Sequence, residues 1–333
     1  MKKLMSILCV SILSTMALLG CGADTAPGNV KEDKVQIVCT TFPQYDWVMQ
    51  LLGPESEHAE VTLLVQNNSD IHNYQPSTKD IIFVKEADLF IYVGGESEAW
   101  VTDLLTTDTA LQDKALSLMD ILLEKDMLLE LGGYENGAEV NDTHDHDHGE
   151  GHSHEHDEHV WLSLQNARVL CEEISEKLCD ILPESARGIQ ENTTDYLEAL
   201  KSLDAEYAAC VAESARNPLV FGDRFPFSYL AKDYNLEYYA AYIGCSAEVE
   251  VGFDTIIDLA EEADAHKLSY ILIIDGSDGR IANTILNTTK DGSQKLLTMD
   301  SMQSVSMTDI QQGATYLDIM EENLEVLKLA LGA

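Results

Sequence analysis

"PESARGIQENTTDYLEALKSLDAEYAACVAES", Pro183 to Ser214, decides the architecture of this 333-residue chain. Its one proline stands at the start, where a helix tolerates it, and no interior proline interrupts the rest, so the stretch reads as one long helix. On both sides of it short apolar runs alternate with helical patterns. Before it, "VQIVCTTF" (Val35 to Phe42), "VTLLVQ" (Val61 to Gln66) and "ADLFIYVGG" (Ala87 to Gly95) are β-branched or aromatic and end in turn residues, as buried strands do. Between them "YDWVMQLLG" and "STKDIIFVKEA" carry helical spacing, the second opened by Pro76 and a Ser77 or Thr78 cap. After the long helix "PLVFGD", "LEYYAAY", "SYILIIDG" and "KLLTMDS" repeat the strand pattern. "FDTIIDLAEEADAHK" is helical between two of them, and "TDIQQGATYLDIMEENLEVLKLALG" reads as a closing helix. Such βαβ rhythm predicts parallel sheets. The expected fold is α/β, with two lobes, each a mostly parallel sheet flanked by helices, joined by a long rigid linker helix. A single continuous doubly wound domain is the alternative.

The chain opens on Lys2 and Lys3, an apolar run from Leu4 to Leu19, and small residues around Cys21, which is the pattern of a secretory signal. The run is too short for a comfortable membrane span. "LLGC", Leu18 to Cys21, resembles the bacterial lipobox, so residues 1–20 are expected as signal peptide and Cys21 as lipid anchor, with residues 21–34 as a polar tether. The body then divides into an N-terminal lobe (35–182), the linker helix (183–215) and a C-terminal lobe (216–333), lying outside the cytoplasmic membrane. Cys39, Cys171, Cys179, Cys210 and Cys245 remain, an odd number with no CxxC spacing, compatible with two, one or no disulfides. A net charge of −39 excludes nucleic acid as a partner and suits a protein that concentrates cations.

"HDHDHGEGHSHEHDEH", His144 to His159, holds seven of the chain's ten histidines. So polar a stretch buries no apolar surface to offset the entropy of ordering it, so it reads as a mobile loop (141–158). His144, His146, His148, His152, His154 and His156 offer a divalent metal many transient ligand sets. His72, in "NNSDIHNYQPSTKDI", follows a predicted strand, and strand C-terminal edges are where open α/β sheets place ligands. His159, in "DEHVWLS", closes the tract and enters an apolar helix start. Asp300 in "LLTMDSMQS" and Asp223 in "VFGDRFPFSYL" each follow a predicted strand of the second half. Two candidates from each half meet only in an interlobe cleft, a favoured ligand position.

These segments together resemble the metal-binding lipoproteins of bacterial ABC importers, the cluster A-I zinc substrate-binding family with its manganese-binding relatives, across nearly all of the mature chain. The resemblance implies two α/β lobes on a rigid helix. It also implies His72 as first ligand, from "SDIHNYQPSTKDI", His159 as second, after the His-rich insertion, and Asp300 as fourth, from "MDSMQS". At the third position zinc relatives carry His and manganese relatives Glu. This chain instead has "FGDRFPFSYLAKDYNL", where Asp223 is the candidate. The spacing to Tyr229 is about one residue longer than the family pattern, so Gly222 or Arg224 is the other alignment. Capping or pairing with Arg224 is the competing role for Asp223, and water, Glu248 or Glu250 would then complete the shell.

Zinc accepts imidazole and carboxylate in a four-coordinate shell, whereas Mn²⁺ prefers oxygen. The His tract favours Zn²⁺ over Mn²⁺, as its collector, and metal capture should weaken as pH falls through about 6.5. HExxH, GxSxG and Walker signatures are absent, so no enzyme is expected. The expectation is a monomeric, lipid-anchored zinc receptor for an ABC permease and its ATPase, with a manganese-binding homologue or an extracellular zinc buffer or adhesin as alternatives.

Overall fold

β1 (Val35–Cys39) is the centre of the first sheet, and α1 (Phe42–Leu52) starts within three residues of its end. The turn between them is tied by Gln44, whose side-chain oxygen accepts from the Thr40 and Thr41 amides at 3.0 Å each. In this computed structural model the described residues are 34–66, 71–130, 134–135, 138–139, 156–214, 218–243, 251–290 and 292–333. The signal, Cys21, most of the His tract, Cys245, Glu248 and Glu250 lie outside them.

From β1 the chain continues through β2 (Ala59–Leu63), α2 (Thr78–Glu86), β3 (Leu89–Tyr92), α3 (Ala99–Thr107), α4 (Thr109–Gln112), β4 (Ala115–Ser117) and α5 (Leu118–Glu124). The sheet has the order β2-β1-β3-β4, every pair parallel. A short antiparallel pair, β5 (Tyr134–Glu135) with β6 (Ala138–Glu139), precedes α6 (Leu164–Ile181) and the long α7 (Ala186–Glu213). The second sheet takes β7 (Leu219–Phe225), β8 (Tyr238–Ile243), β9 (Tyr270–Ile274) and β10 (Lys295–Met299) in the order β10-β9-β7-β8, again all parallel. Its helices are α8 (Ser228–Asp233), α9 (Phe253–Ala265) and α10 (Arg280–Thr288). α11 (Met307–Gln311) and α12 (Tyr316–Leu331) end the chain. The expected closing helix is thus two helices: Gly313, at φ +100°, breaks it, and Thr315 caps α12 by accepting from the Asp318 amide. β4 was not legible as a strand, because three residues give alternation nothing to show.

The fold is the expected pair of α/β lobes, each a parallel four-stranded sheet flanked by helices. Residues 34–333 form one compact unit. α7 packs on α1 and α6 of the first lobe and on α12. One apolar cluster runs from Ile37 and Trp47 to Phe221 and Tyr316, with the Trp47 and Tyr316 rings edge to face at 5.2 Å. Gly222 on β7 lets α10 approach, since a Cβ there would stand 2.5 Å from the Ala282 Cα. Cys39, Cys171, Cys179 and Cys210 are all free thiols, and burial pushes their pKa values up, so they serve the core rather than reactivity.

Asp46 joins α1 to the start of α12. Its carboxylate accepts from the Tyr316 amide at 2.9 Å and from Gln50 at 3.1 Å. Burial raises its pKa to about 6 despite those bonds. A carboxyl whose folded pKa is raised contributes stability that is present below its unfolded pKa and lost as pH rises through the folded one. Between pH 4 and 7 wild type should therefore lose up to about 3 kcal/mol relative to Asp46→Asn. Urea unfolding of both proteins across that range checks this, and parallel stability curves would exclude it.

Candidate metal centre

Open parallel sheets present ligand sites at the C-terminal edge where strand order reverses. In the first sheet that point lies between β1 and β3. The chain leaving β2 returns there as a single 3₁₀ turn, Ile71–Asn73, against a second one, Glu96–Glu98, that follows β3. Buried Ile71 anchors the first turn and leaves the His72 side chain 22 % exposed. His159 enters from the other side on the 3₁₀ turn Val160–Leu162, whose three side chains are all buried.

The two imidazoles converge. His72 Nε2 and His159 Nε2 lie 3.2 Å apart, with ring centroids at 5.3 Å. Two nitrogens each about 2.0–2.1 Å from a tetrahedral zinc stand roughly 3.3–3.4 Å apart, so the pair has the spacing of one edge of such a shell.

Each ring is held from behind. His159 Nδ1–H donates to Asp157 Oδ1 at 2.6 Å, and the same oxygen accepts from the His159 amide at 2.9 Å. Burial acts to raise the Asp157 pKa, but His159 and its hydrogen bonds more than offset this and hold the carboxyl below its usual value. A carboxylate on Nδ1–H fixes the tautomer whose Nε2 carries a lone pair, the usual orientation of a metal-binding histidine. His72 Nδ1 lies 2.6 Å from Ser97 Oγ, and the Ser97 amide donates to Glu158 Oε1 at 2.9 Å. Asp157, Glu158 and Ser97 were not singled out from sequence. Asp157 and Glu158 stand inside the "DEHVWLS" segment beside His159, but the reach of Glu158 to Ser97 spans 61 positions and has no local signal.

Residues 156–158, read as the end of the mobile loop, are part of the packed fold. His156 bridges Glu130, the Asp157 amide donates to the Leu129 carbonyl at 2.9 Å, and Tyr229 donates to the Asp157 carbonyl at 2.8 Å.

Across the cleft, Trp161 Nε1–H donates to the Ser301 carbonyl at 2.9 Å, which sets the Asp300 turn beside the His159 segment. Asp300 Oδ1 accepts from the Met302 amide at 2.7 Å, and Met302 takes a left-handed φ of +62°, uncommon for a non-glycine and concentrated at functional turns. Burial first, and then Asp275 beside it, raise the Asp300 pKa to about 7. Asp275 in turn accepts from the Ser301 amide and hydroxyl, 2.6 Å each. Asp223 accepts from the Arg224 amide at 2.8 Å and from the Ser277 hydroxyl. The structure thus brings His72 and His159 together. Asp300 and Asp223 hydrogen-bond within the second lobe, and among the described residues no three His, Cys, Asp or Glu side chains form a metal-sized group. A small cavity of about 10 Å³, lined by Ile71 and Trp161 of the first lobe and Met302 of the second among others, has room for about one water. A larger groove of 740 Å³ elsewhere is lined by acids such as Glu206 and Glu322 and holds no histidine.

The profile of the family described as zinc-uptake complex component A, periplasmic (ZnuA), matches residues 37–330. The chain belongs to this family. It is 32% identical over 297 residues to the zinc-binding lipoprotein AdcA of Streptococcus pneumoniae, covering 89% of this chain and 56% of that protein, so it spans a little over half the length of that relative. It is 26% identical to the high-affinity zinc uptake system protein ZnuA of Bacillus subtilis, over 95% of this chain and 94% of that one. Among solved structures it resembles Zn(II)-bound AdcA from S. pneumoniae, with a TM-score of 0.68 and 29% identity, over 90% of this chain and 58% of that one. Membership fixes the ZnuA-type fold and a zinc-uptake family. No helix among the described residues is long and apolar enough to cross a membrane.

Proposed function

We propose that this chain is an extracytoplasmic receptor, tethered by a lipid on Cys21, that captures Zn²⁺ between its lobes as cargo and delivers it to an ABC permease. The observation that carries the reading is the pair of Nε2 atoms 3.2 Å apart, with Asp157 behind His159 fixing its tautomer. His72 and His159 supply two nitrogens. Asp300 from the second lobe, and Asp223 or water, complete the shell once the lobes close by a small movement. The names of the relatives, zinc-binding and zinc-uptake proteins, support the same cargo. Two imidazoles favour Zn²⁺ over Mn²⁺, which prefers oxygen. The role is binding, not catalysis, and a monomer suffices for it.

The His tract would gather zinc weakly. A chelator-competition titration of zinc, with manganese as challenger, on protein lacking residues 142–155 tests the assignment. Asp157 and Glu158 are kept because they hold the two rings. One tight, zinc-preferring site is expected. Only weak binding after the deletion would move the function to the tract and make the protein a zinc buffer. Because neutral imidazole and ionised carboxylate are the ligands, and the Asp300 pKa is raised to about 7, the affinity should fall steadily as pH drops below about 7 and binding should release protons.

A further inference from the structure

Asp157 and Glu158 are consecutive carboxylates, and the structure spends them on different histidines. Asp157 holds its own neighbour, His159. Glu158 turns the other way. Its Oε1 accepts from the Ser97 amide, and its Oε2, buried and without a hydrogen bond, lies 3.8 Å from His72 Nδ1. A buried carboxylate oxygen left without a donor is costly, and such an atom in a folded protein calls for an explanation. Gly95 shows that the space is kept for this side chain. A Cβ at Gly95, which has φ +85°, would stand 2.4 Å from Glu158 Oε1.

The proton positions supply the explanation. His159 Nδ1–H donates to Asp157, so in the neutral ring His159 Nε2 accepts, and a hydrogen bond between the two Nε2 atoms needs the proton on His72 Nε2. His72 Nδ1 then carries the lone pair and accepts from the Ser97 hydroxyl. A metal at the Nε2 pair cannot share that arrangement. His72 must give up its Nε2 proton and carry one on Nδ1, and that N–H, or the Ser97 hydroxyl it displaces, then needs an acceptor. Glu158 Oε2 is the acceptor at hand.

We infer that Glu158 is a positioning residue for zinc capture, holding His72 in the tautomer that presents Nε2 to the metal. The inference rests on the zinc-receptor reading above. It does not make Glu158 a ligand: it acts through His72, and its unmet oxygen in the metal-free protein becomes a hydrogen-bonded one in the loaded protein.

The test is a double-mutant cycle on zinc affinity with Glu158→Gln and His72→Ala, and with His159→Ala as a control. Glu158→Gln keeps the shape and removes the charge. It should weaken zinc about ten- to hundredfold, as loss of an outer-shell carboxylate does, with the metal-free thermal midpoint little changed. In the His72→Ala background it should cost nothing further. Equal loss in both backgrounds, or no loss in wild type while His72→Ala weakens binding, would overturn the inference and leave the receptor reading standing. Wild-type binding by both histidine variants would remove the reading and the inference together. Should Glu158→Gln fold poorly, nitrogen NMR of the wild-type protein decides. The zinc-loaded form should show a slowly exchanging, strongly downfield His72 Nδ1 proton, and its absence would equally overturn the inference.

Discussion

His72→Ala and His159→Ala should each weaken zinc binding by more than about a hundredfold, or about 2.7 kcal/mol, since each removes a ligand rather than an outer partner. Their effects on the fold should differ. His72 is half-buried on a turn already anchored by Ile71, and truncating it costs little stability. His159 is 3 % exposed and its ring N–H donates to the buried Asp157, so its loss leaves that carboxylate without its side-chain donor, at a cost of about 1–3 kcal/mol. Competition titration and metal-free thermal melts on both variants check this. Wild-type affinity in either would remove that residue from the centre, and equal melts would show that Asp157 does not depend on His159.

Trp161→Ala should be the most destabilising single change near the site. The side chain is 1 % exposed and packs edge-on to His159 at 5.3 Å. Its N–H reaches Ser301 in the opposite lobe, while its carbonyl accepts from Tyr316 at 2.7 Å. Losing the ring leaves a cavity and an unpaired Ser301 carbonyl, together about 3–5 kcal/mol. At roughly 2–4 °C per kcal/mol this lowers the melting midpoint by about 6–20 °C. Trp161→Phe keeps most of the packing and gives up the hydrogen bond, so it should fall between the two. If Trp161→Ala melted within a degree or two of wild type, the lobes would not be coupled through this residue.

The sequence was most informative where chemistry follows directly from a local run of residues. The apolar runs that became β1, β3, β7 and β9 are nearly continuous because central parallel strands are covered on both faces, and the long helix was visible because no proline interrupts it between Pro183 and Ser214. Of the candidates read beside apolar runs, Asp300 directly follows β10, Asp223 lies within β7, and His72 and His159 sit on or beside 3₁₀ turns rather than at strand ends. What local pattern could not give is what each of them touches. The Ser97 to Glu158 bond and the Trp161 to Ser301 bond join residues 61 and 140 positions apart. The pairing of Asp223 with Ser277 likewise arises only once β7 and β9 lie side by side. Gly313 lies inside the stretch whose pattern reads as one closing helix, and its positive φ makes it a break.

The bridge between Glu130 and His156 brings together the two ends of the insertion that carries most of the histidines. A segment whose two ends are pinned together can change length without displacing the residues that pin it. Because the cost of closing such a segment grows only with the logarithm of its length, halving or doubling it shifts stability by about 0.6 kcal/mol. The number of imidazoles outside the cleft is therefore a quantity that can drift, by duplication or loss of a few codons, while the affinity of the cleft stays where Asp157 and Glu158 set it.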